Sequence, residues 1–238
     1  MCGRYVLKRK DLEAILARLG LRGLAEFQSR FNIPPTSKLP AIRAAAGSAR
    51  EAVGLGWGLV PSWAKDATAG ARHANARAES IADKPAFRDA LRWRRCVLPL
   101  SGFYEWQTLG RAKQPWYFSF RDGEGPVFAG LWESWRGPDG GAIETCALIT
   151  TTANEVVQTV HDRMPVLLNG SGIDMWLDRR FEDPARLTPL LRPYPAEQMV
   201  VWPVSPVVNG VGVDGPECID RVEVPPPGAG AAQFSLGL

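Results

Sequence analysis

Hydrophobic residues recur with helical spacing in only a few short segments of the chain. Between residues 11 and 19, Leu12, Ile15 and Leu16 fall on one face of a helix, and Gly20 follows as a stop signal. Proline at a first turn and apolar residues three or four apart indicate further short helices. The pattern predicts helices at Asp11–Leu19, Pro85–Trp93, Asn154–Val160, Asp174–Arg179 and Pro184–Leu191.

Short runs of β-branched and aromatic residues, separated by turn residues, are more frequent than the helical segments. Many short strands with few helices favour an α+β fold, with a mixed or antiparallel β-sheet core and a few short helices. The predicted strands lie at Val53–Leu59, Cys96–Leu100, Phe103–Gln107, Trp116–Arg121, Val127–Trp132, Thr145–Thr151, Pro165–Leu168 and Met199–Val204.

No internal repeat or linker divides the chain, so we expect one domain over residues 1–224 and a monomer. A chain of 238 residues is long enough to bury a core without disulfide bonds. Residues 225–238 are rich in Pro, Gly and Ala and carry no charged side chain. This composition predicts a disordered tail.

The sequence offers little sign of a membrane or a metal. No segment approaches the roughly 18 apolar residues of a membrane span, and the start of the chain has no apolar signal region. We therefore expect a cytoplasmic protein without a membrane partner. The four cysteines are widely spaced and only His73 and His161 could join them, which predicts no metal site and no cofactor.

Charge is distributed unevenly along the chain. Residues 1–120 hold 20 Lys and Arg against 9 Asp and Glu, whereas residues 121–238 hold 8 against 16. A basic half favours a polyanionic partner, with nucleic acid as the first candidate. Arginine dominates the basic residues and suits bidentate phosphate contacts. A GC-rich genome would also encode an Arg-rich chain, so this pattern alone leaves both explanations open.

Cys2 stands out because of its position. Removal of Met1 before a small side chain would leave Cys2 with a free α-amine and a thiol on adjacent carbons. The pKa of a free α-amine is about 7.7–8.0, so part of it is neutral at physiological pH. Such a 1,2-aminothiol condenses with an aldehyde to an imine, and the thiol then closes a thiazolidine ring. The alternative is that a small Cys2 serves only to allow Met1 removal.

Three further polar residues lie in segments that could support this chemistry. Asn75 precedes a predicted helix and could equally be a capping residue. Glu105 lies between aromatic residues on an apolar strand, where a carboxyl group has a raised pKa and can move protons; the alternative is a solvent-facing edge position. His161 lies beside Asp162 and could orient or protonate an oxygen, or cap a helix C-terminus.

Aromatic residues add to the case for nucleic acid. Trp57 and Trp63 lie in a segment rich in Gly and Pro, and Trp106 directly follows Glu105. Aromatic side chains near arginines stack on the bases of single strands. We assign Trp116, Trp132, Trp176 and Trp202 to the core instead.

Six motifs, taken in order, resemble those of the SRAP (SOS response-associated peptidase) family, the abasic site processing proteins. They cover nearly the whole chain, and their order makes the resemblance specific. The motifs are Met1–Arg4, Phe31–Pro35, Gly56–Trp63, Asn75–Glu79, Gly102–Trp106 and His161–Pro165.

The resemblance implies a single α+β domain that binds an abasic site in single-stranded DNA or at a single-strand/double-strand junction. It also implies that the protein is associated with the nucleoid when it is bound to DNA. It implies that Cys2 bonds covalently to the ring-opened aldehyde, shielding the lesion. Asn75 would orient the terminal amine, Glu105 would move protons, and His161 would stabilise the sugar hydroxyl or a phosphate. It further implies DNA contacts by Arg4, Arg77 and Arg163 at phosphates and by Pro35, Trp63 and Trp106 at the lesion.

Two other functions use the same residues. In an N-terminal-nucleophile cysteine peptidase, Cys2 would attack an amide with its own α-amine as the base, and His161 would assist. A non-catalytic nucleic-acid-binding module would tolerate replacement of Cys2. The basic, Trp-bearing half favours DNA over a peptide substrate.

Overall fold

The computed structural model describes residues 2–24, 26–45, 49–121, 125–181 and 183–223. The tail predicted at residues 225–238 lies outside the described residues, and the domain limit at residue 224 stays a prediction. No helix within the described ranges is long and apolar enough to cross a membrane.

Strands make up most of the regular structure in this part of the chain. They are β1 (Tyr5–Leu7), β2 (Arg30–Ile33), β3 (Lys38–Ala44), β4 (Arg50–Trp57), β5 (Asn75–Arg77), β6 (Arg95–Pro99), β7 (Gly102–Leu109), β8 (Ala112–Phe120), β9 (Val127–Arg136), β10 (Ala142–Thr152), β11 (Arg163–Pro165), β12 (Leu167–Leu168) and β13 (Met199–Pro203). Each predicted strand overlaps an observed one, and the α+β fold class is confirmed.

The strands form two sheets. The first is antiparallel in the order β13-β8-β7-β1-β2. The second runs β11-β10-β4-β3-β6-β9-β12, and pairing of β9 with β10 closes it on itself like a barrel. Strand β5 joins β10 in parallel, with Asn75 opposite Leu148. Mixed pairing in the second sheet therefore brings β5 beside the end of β10.

Apolar residues of both sheets share one core. Tyr5 of β1 is fully buried and meets Trp57 and Phe128 edge to face, with ring centroids 5.6 and 5.3 Å apart. Such aromatic pairs contribute about 0.5–1.5 kcal/mol beyond their burial. The strand that carries the N-terminal residues is thus fixed against the barrel by its own side chains.

The helices are short and lie between strands. They are α1 (Arg9–Arg18), α2 (Arg88–Trp93), α3 (Glu155–Gln158), α4 (Gly170–Leu177) and α5 (Pro184–Leu187).

Several predicted helix boundaries are wrong, for local reasons. Helix α2 begins after residues 84–87, which form a turn in which the Phe87 N–H donates to the Lys84 carbonyl. Helix α4 begins at Gly170 and ends at Leu177, because this register buries Trp176 completely. Helix α5 gives way to a 3-10 turn that contains Pro189, a residue with no N–H for the next helical bond.

Candidate active site around Cys2

Cys2 lies just before β1 and is fully buried. Burial raises the pKa of its thiol, and the nearby Glu105 carboxylate raises it further. The side-chain amide of Asn75 donates from Nδ2 to the Cys2 carbonyl oxygen at 2.9 Å. This bond links the start of β5 to the N-terminal segment and fixes the backbone of Cys2.

Asn75 forms the first residue of β5 and does not cap a helix. Its Oδ1 is buried and accepts no hydrogen bond from any described residue. A buried acceptor without a partner is costly, so this oxygen is available to a donor supplied by a ligand or by water.

Glu105 is the buried carboxyl group of the site. It lies on β7 and is only 2% exposed, because alternation along the strand turns it away from the face that carries Trp106. Burial raises its pKa from 4.5 to about 7. Burial excludes the solvent-facing alternative, and a carboxyl group with this pKa can both take up and release a proton near neutral pH.

His161 follows α3 and is half-buried. Burial lowers its pKa, which leaves the imidazole neutral at pH 7. The backbone N–H of Arg163 donates to Nδ1 at 3.0 Å, so the remaining hydrogen of the neutral ring belongs on Nε2. Asp162 also lies 3.0 Å from Nδ1 but is 85% exposed, and solvent screens its charge. His161 is therefore a hydrogen-bond donor through Nε2.

An open cavity of about 600 Å³ connects Glu105 and His161 to solvent, and Gly3, next to the buried Cys2, lies in its wall. Two titratable side chains of the site and two basic side chains line this cavity. Pro35 and Trp63 are not among its described lining residues. The lining residues are Gly3, Arg4, Glu105, Trp106, Lys113, His161 and Asn209.

The three arginines predicted to hold phosphates differ in their surroundings. Arg4 donates from Nη1 to Asn32 Oδ1 at 2.5 Å and to the Val208 carbonyl at 2.7 Å. Arg163 forms a bidentate pair with Glu79, at 2.7 and 2.9 Å. Arg77 is exposed on β5 and makes no ion pair within the described ranges. Arg4 and Arg163 thus have structural contacts of their own, and all three phosphate contacts stay predictions.

The aromatic candidates also differ in exposure. Trp63 is 65% exposed, which is unusual for an indole, whereas Trp57 is buried in the core. Pro35 lies half-buried in the turn after β2, and Trp106 is half-buried beside the cavity. Trp63 is suited to stacking on a ligand because its indole is exposed, and Trp106 because it lines the cavity.

Two cavity residues, Lys113 and Asn209, were not expected from the sequence. Lys113 lies opposite Thr108 in the β7–β8 hairpin, and Asn209 ends a 3-10 turn near the C-terminal part of the fold. Neither belongs to a motif: the β7–β8 hairpin brings Lys113 to the site, and a long-range contact with Trp106 brings Asn209 there. Within the described residues, no group of three or more His, Cys, Asp or Glu side chains could hold a metal ion.

Comparisons with known proteins agree on one family. The model of the SOS response associated peptidase (SRAP) family matches residues 1–211. The abasic site processing protein YoqW of Bacillus subtilis (strain 168) is 37% identical over 224 residues, covering 92% of this chain and 99% of that protein. The abasic site processing protein HMCES of Gallus gallus is 32% identical over 229 residues, covering 83% and 68%.

A solved structure shows the same fold. A protein from Bacteroides thetaiotaomicron superimposes with a TM-score of 0.83 at 24% identity, covering 93% of this chain and 100% of that one.

Proposed function

This chain belongs to the SOS response associated peptidase family, and from that premise we propose that it processes abasic sites in DNA by bonding to them through Cys2. The observation that carries the proposal is that Cys2 is buried, held by Asn75 and close enough to the buried Glu105 carboxyl group for its charge to raise the thiol pKa. Relatives named abasic site processing proteins, YoqW and HMCES, support the choice of substrate.

The proposed reaction begins with opening of the abasic sugar. The sugar is mostly a closed hemiacetal, so a proton must leave the C1′ hydroxyl and another must reach the ring oxygen before an aldehyde exists. Glu105 is placed to move these protons because its pKa lies near the working pH. His161 would donate from Nε2 to a sugar hydroxyl or phosphate oxygen.

The bond to DNA would then form in two steps. The α-amine of Cys2, free once Met1 is removed, adds to the aldehyde carbon and expels water as an imine forms. The thiol sulfur adds to the imine carbon, and its proton passes to nitrogen, which closes the thiazolidine. Because the Cys2 thiol is neutral in its buried setting, it needs a base during this addition, and Glu105 is the neighbouring carboxylate.

Asn75 would keep the two nucleophilic atoms in place. Its bond to the Cys2 carbonyl holds the residue that carries both the amine and the thiol. Positioning of this kind lowers the entropic cost of reaction.

The proposed partner is single-stranded DNA, or a single-strand/double-strand junction, that contains an abasic site. Lys113 and Arg4 line the cavity, and the basic half of the chain would supply phosphate contacts that depend on salt. The proposal requires one cleavage of this chain, the removal of Met1, and no cofactor.

A denaturing gel tests the proposal. The protein, with its N-terminal mass measured first, is mixed with a single-stranded oligonucleotide that carries one abasic site. A matched oligonucleotide with an intact base and the Cys2→Ala protein are the controls. We expect a retarded band only for the unmodified protein with the abasic strand. A band of equal intensity with Cys2→Ala, or no band from a protein that lacks Met1, would contradict the mechanism.

A further inference from the structure

A hydrogen bond joins Trp106, beside the cavity, to a residue far along the chain. The indole Nε1–H of Trp106 donates to Asn209 Oδ1 at 2.6 Å, and both residues line the cavity. An indole nitrogen can only donate, so the Asn209 amide must turn its oxygen toward Trp106 and its NH₂ group away. The bond restricts how the indole can rotate about its side-chain torsions.

The backbone on both sides of Asn209 is fixed to the first sheet. The Val208 carbonyl accepts from Arg4 Nη1 at 2.7 Å, and the Gly210 carbonyl accepts from Asn32 Nδ2 at 2.8 Å. Asn32 is itself fully buried in β2. Asn209 therefore lies between two anchored peptide groups, which fixes the backbone from which its side chain reaches Trp106.

A third anchor follows directly along the same segment. Asp214 Oδ1 accepts from the backbone N–H groups of Phe31 and Asn32, both at 2.6 Å, and Oδ2 accepts from Arg30 Nε at 2.6 Å. Hydrogen bonds to a charged acceptor are among the stronger ones in proteins. Hydrogen bonds thus hold this segment at Val208, at Gly210 and at Asp214.

The indole is also supported at its face. The guanidinium carbon of Arg4 lies 5.7 Å from the centroid of the Trp106 ring, within the range of a cation–π contact. One face of the ring therefore meets Arg4, and its N–H edge meets Asn209.

We propose that Asn209 is a positioning residue that holds the Trp106 indole in the orientation in which it stacks on DNA beside the abasic site. This rests on the proposed function, because Trp106 must contact DNA for its orientation to matter. Asn209 acts on binding through Trp106 and takes no part in the proton transfers at Glu105.

The first measurement is equilibrium binding to a single strand that contains a tetrahydrofuran abasic analogue, which has no aldehyde and cannot bond to Cys2. Asn209→Ala should weaken binding by about 2- to 12-fold, the range for loss of one hydrogen bond. With an authentic abasic site, the DNA concentration for half-maximal rate should rise by the same factor. The rate at saturating DNA should change by less than about twofold, because the loss lies in binding.

A double-mutant cycle shows whether Asn209 acts through the indole. Trp106→Phe keeps an aromatic ring but removes the N–H, so Asn209→Ala should have no further effect in that background. Equal losses in both backgrounds would overturn the proposal, as would no loss in the single variant. Asn169→Ala is the matched control, because Asn169 is exposed and makes no side-chain cap bond.

Two further comparisons separate a folding defect, or a failure of the proposed function, from a failure of the proposed role of Asn209. If Asn209→Ala does not fold, Trp106→Phe alone removes the same bond from the other side and should weaken analogue binding; unchanged binding would overturn the proposal. A protein that binds the analogue but forms no covalent band with an authentic abasic site would refute the proposed function and leave the cycle valid. A cycle without coupling in a protein that does crosslink would refute only the role of Asn209.

Discussion

The buried carboxyl group of Glu105 should destabilise the fold at neutral and alkaline pH. Its pKa is raised to about 7 in the folded chain from an ordinary value of 4.5, so the folded chain keeps a proton that the unfolded chain has already lost. Stability therefore falls as the pH rises from about 4.5 to 7, and the loss is complete above that range. At about 1.36 kcal/mol per pKa unit, the loss is about 3 kcal/mol.

Glu105→Gln isolates this effect, because glutamine has nearly the same shape and does not titrate. The free energies of unfolding of the variant and the unmodified protein are measured by urea denaturation at several values between about pH 5 and pH 8.5. The variant should gain stability relative to the parent as the pH rises, by up to about 3 kcal/mol. The gain should then stay constant above about pH 8.

The same substitution at an exposed position, Glu197→Gln, controls for the loss of one carboxylate. A stability difference for Glu105→Gln that does not change with pH, or that shrinks as the pH rises, would refute the reasoning. If Glu105→Gln gains stability and loses crosslinking, the buried carboxyl group destabilises the fold but is needed for the reaction.

Three further outcomes are expected. Glu105→Gln should slow covalent adduct formation by about 100-fold or more with little change in affinity for the tetrahydrofuran analogue; equal adduct rates on a gel time course would remove Glu105 from proton transfer. Arg95→Met should lower the free energy of unfolding by about 3 kcal/mol in urea, because the buried guanidinium donates to four backbone carbonyls at two helix ends, and an unchanged midpoint would contradict this. Trp63→Ala should weaken DNA binding by about 1–3 kcal/mol in a titration while leaving the thermal midpoint unchanged, and unaltered affinity would exclude stacking there.

The fold could be predicted from the sequence where a strand has a clear run of apolar and β-branched residues. Strand β10 is a run of apolar and β-branched residues, and its burial on both faces agrees with that run. Strands β1, β2, β3 and β5 were missed. Two of them are only three residues long, and β3 contains Pro40, which is unusual inside a strand. Pairing with neighbouring strands, which no local pattern encodes, stabilises these segments.

The residues of the site likewise differ in how far the local sequence indicates their surroundings. The sequence left both a buried and a solvent-facing position open for Glu105, because its aromatic neighbours point to the opposite face of the strand. Only the fold shows that Glu105 is buried, and its raised pKa follows from that burial. Asn75 was open to a helix-cap interpretation, and only its pairing with β10 shows it as a strand residue. Asn209 could not be found, since its role depends on a bond to Trp106 across about a hundred residues of sequence.

The four tryptophans predicted to lie in the core all belong to it or pack against it, but to different depths. Trp176 is fully buried as predicted. Trp116, Trp132 and Trp202 are only half-buried, because each lies on a strand face that solvent reaches in part. Residue type alone does not distinguish the two faces of a strand.

The mass of the protein–DNA adduct shows whether Cys2 carries the bond to DNA. Unmodified protein is incubated with a short single strand that carries an authentic abasic site, and the masses of the intact product and of its N-terminal peptide are measured. The expected mass is that of the protein without Met1 plus the DNA less one water, with the added mass on Cys2. A product attached at a lysine, or none from a protein that begins at Cys2, would contradict bonding through the N-terminal aminothiol.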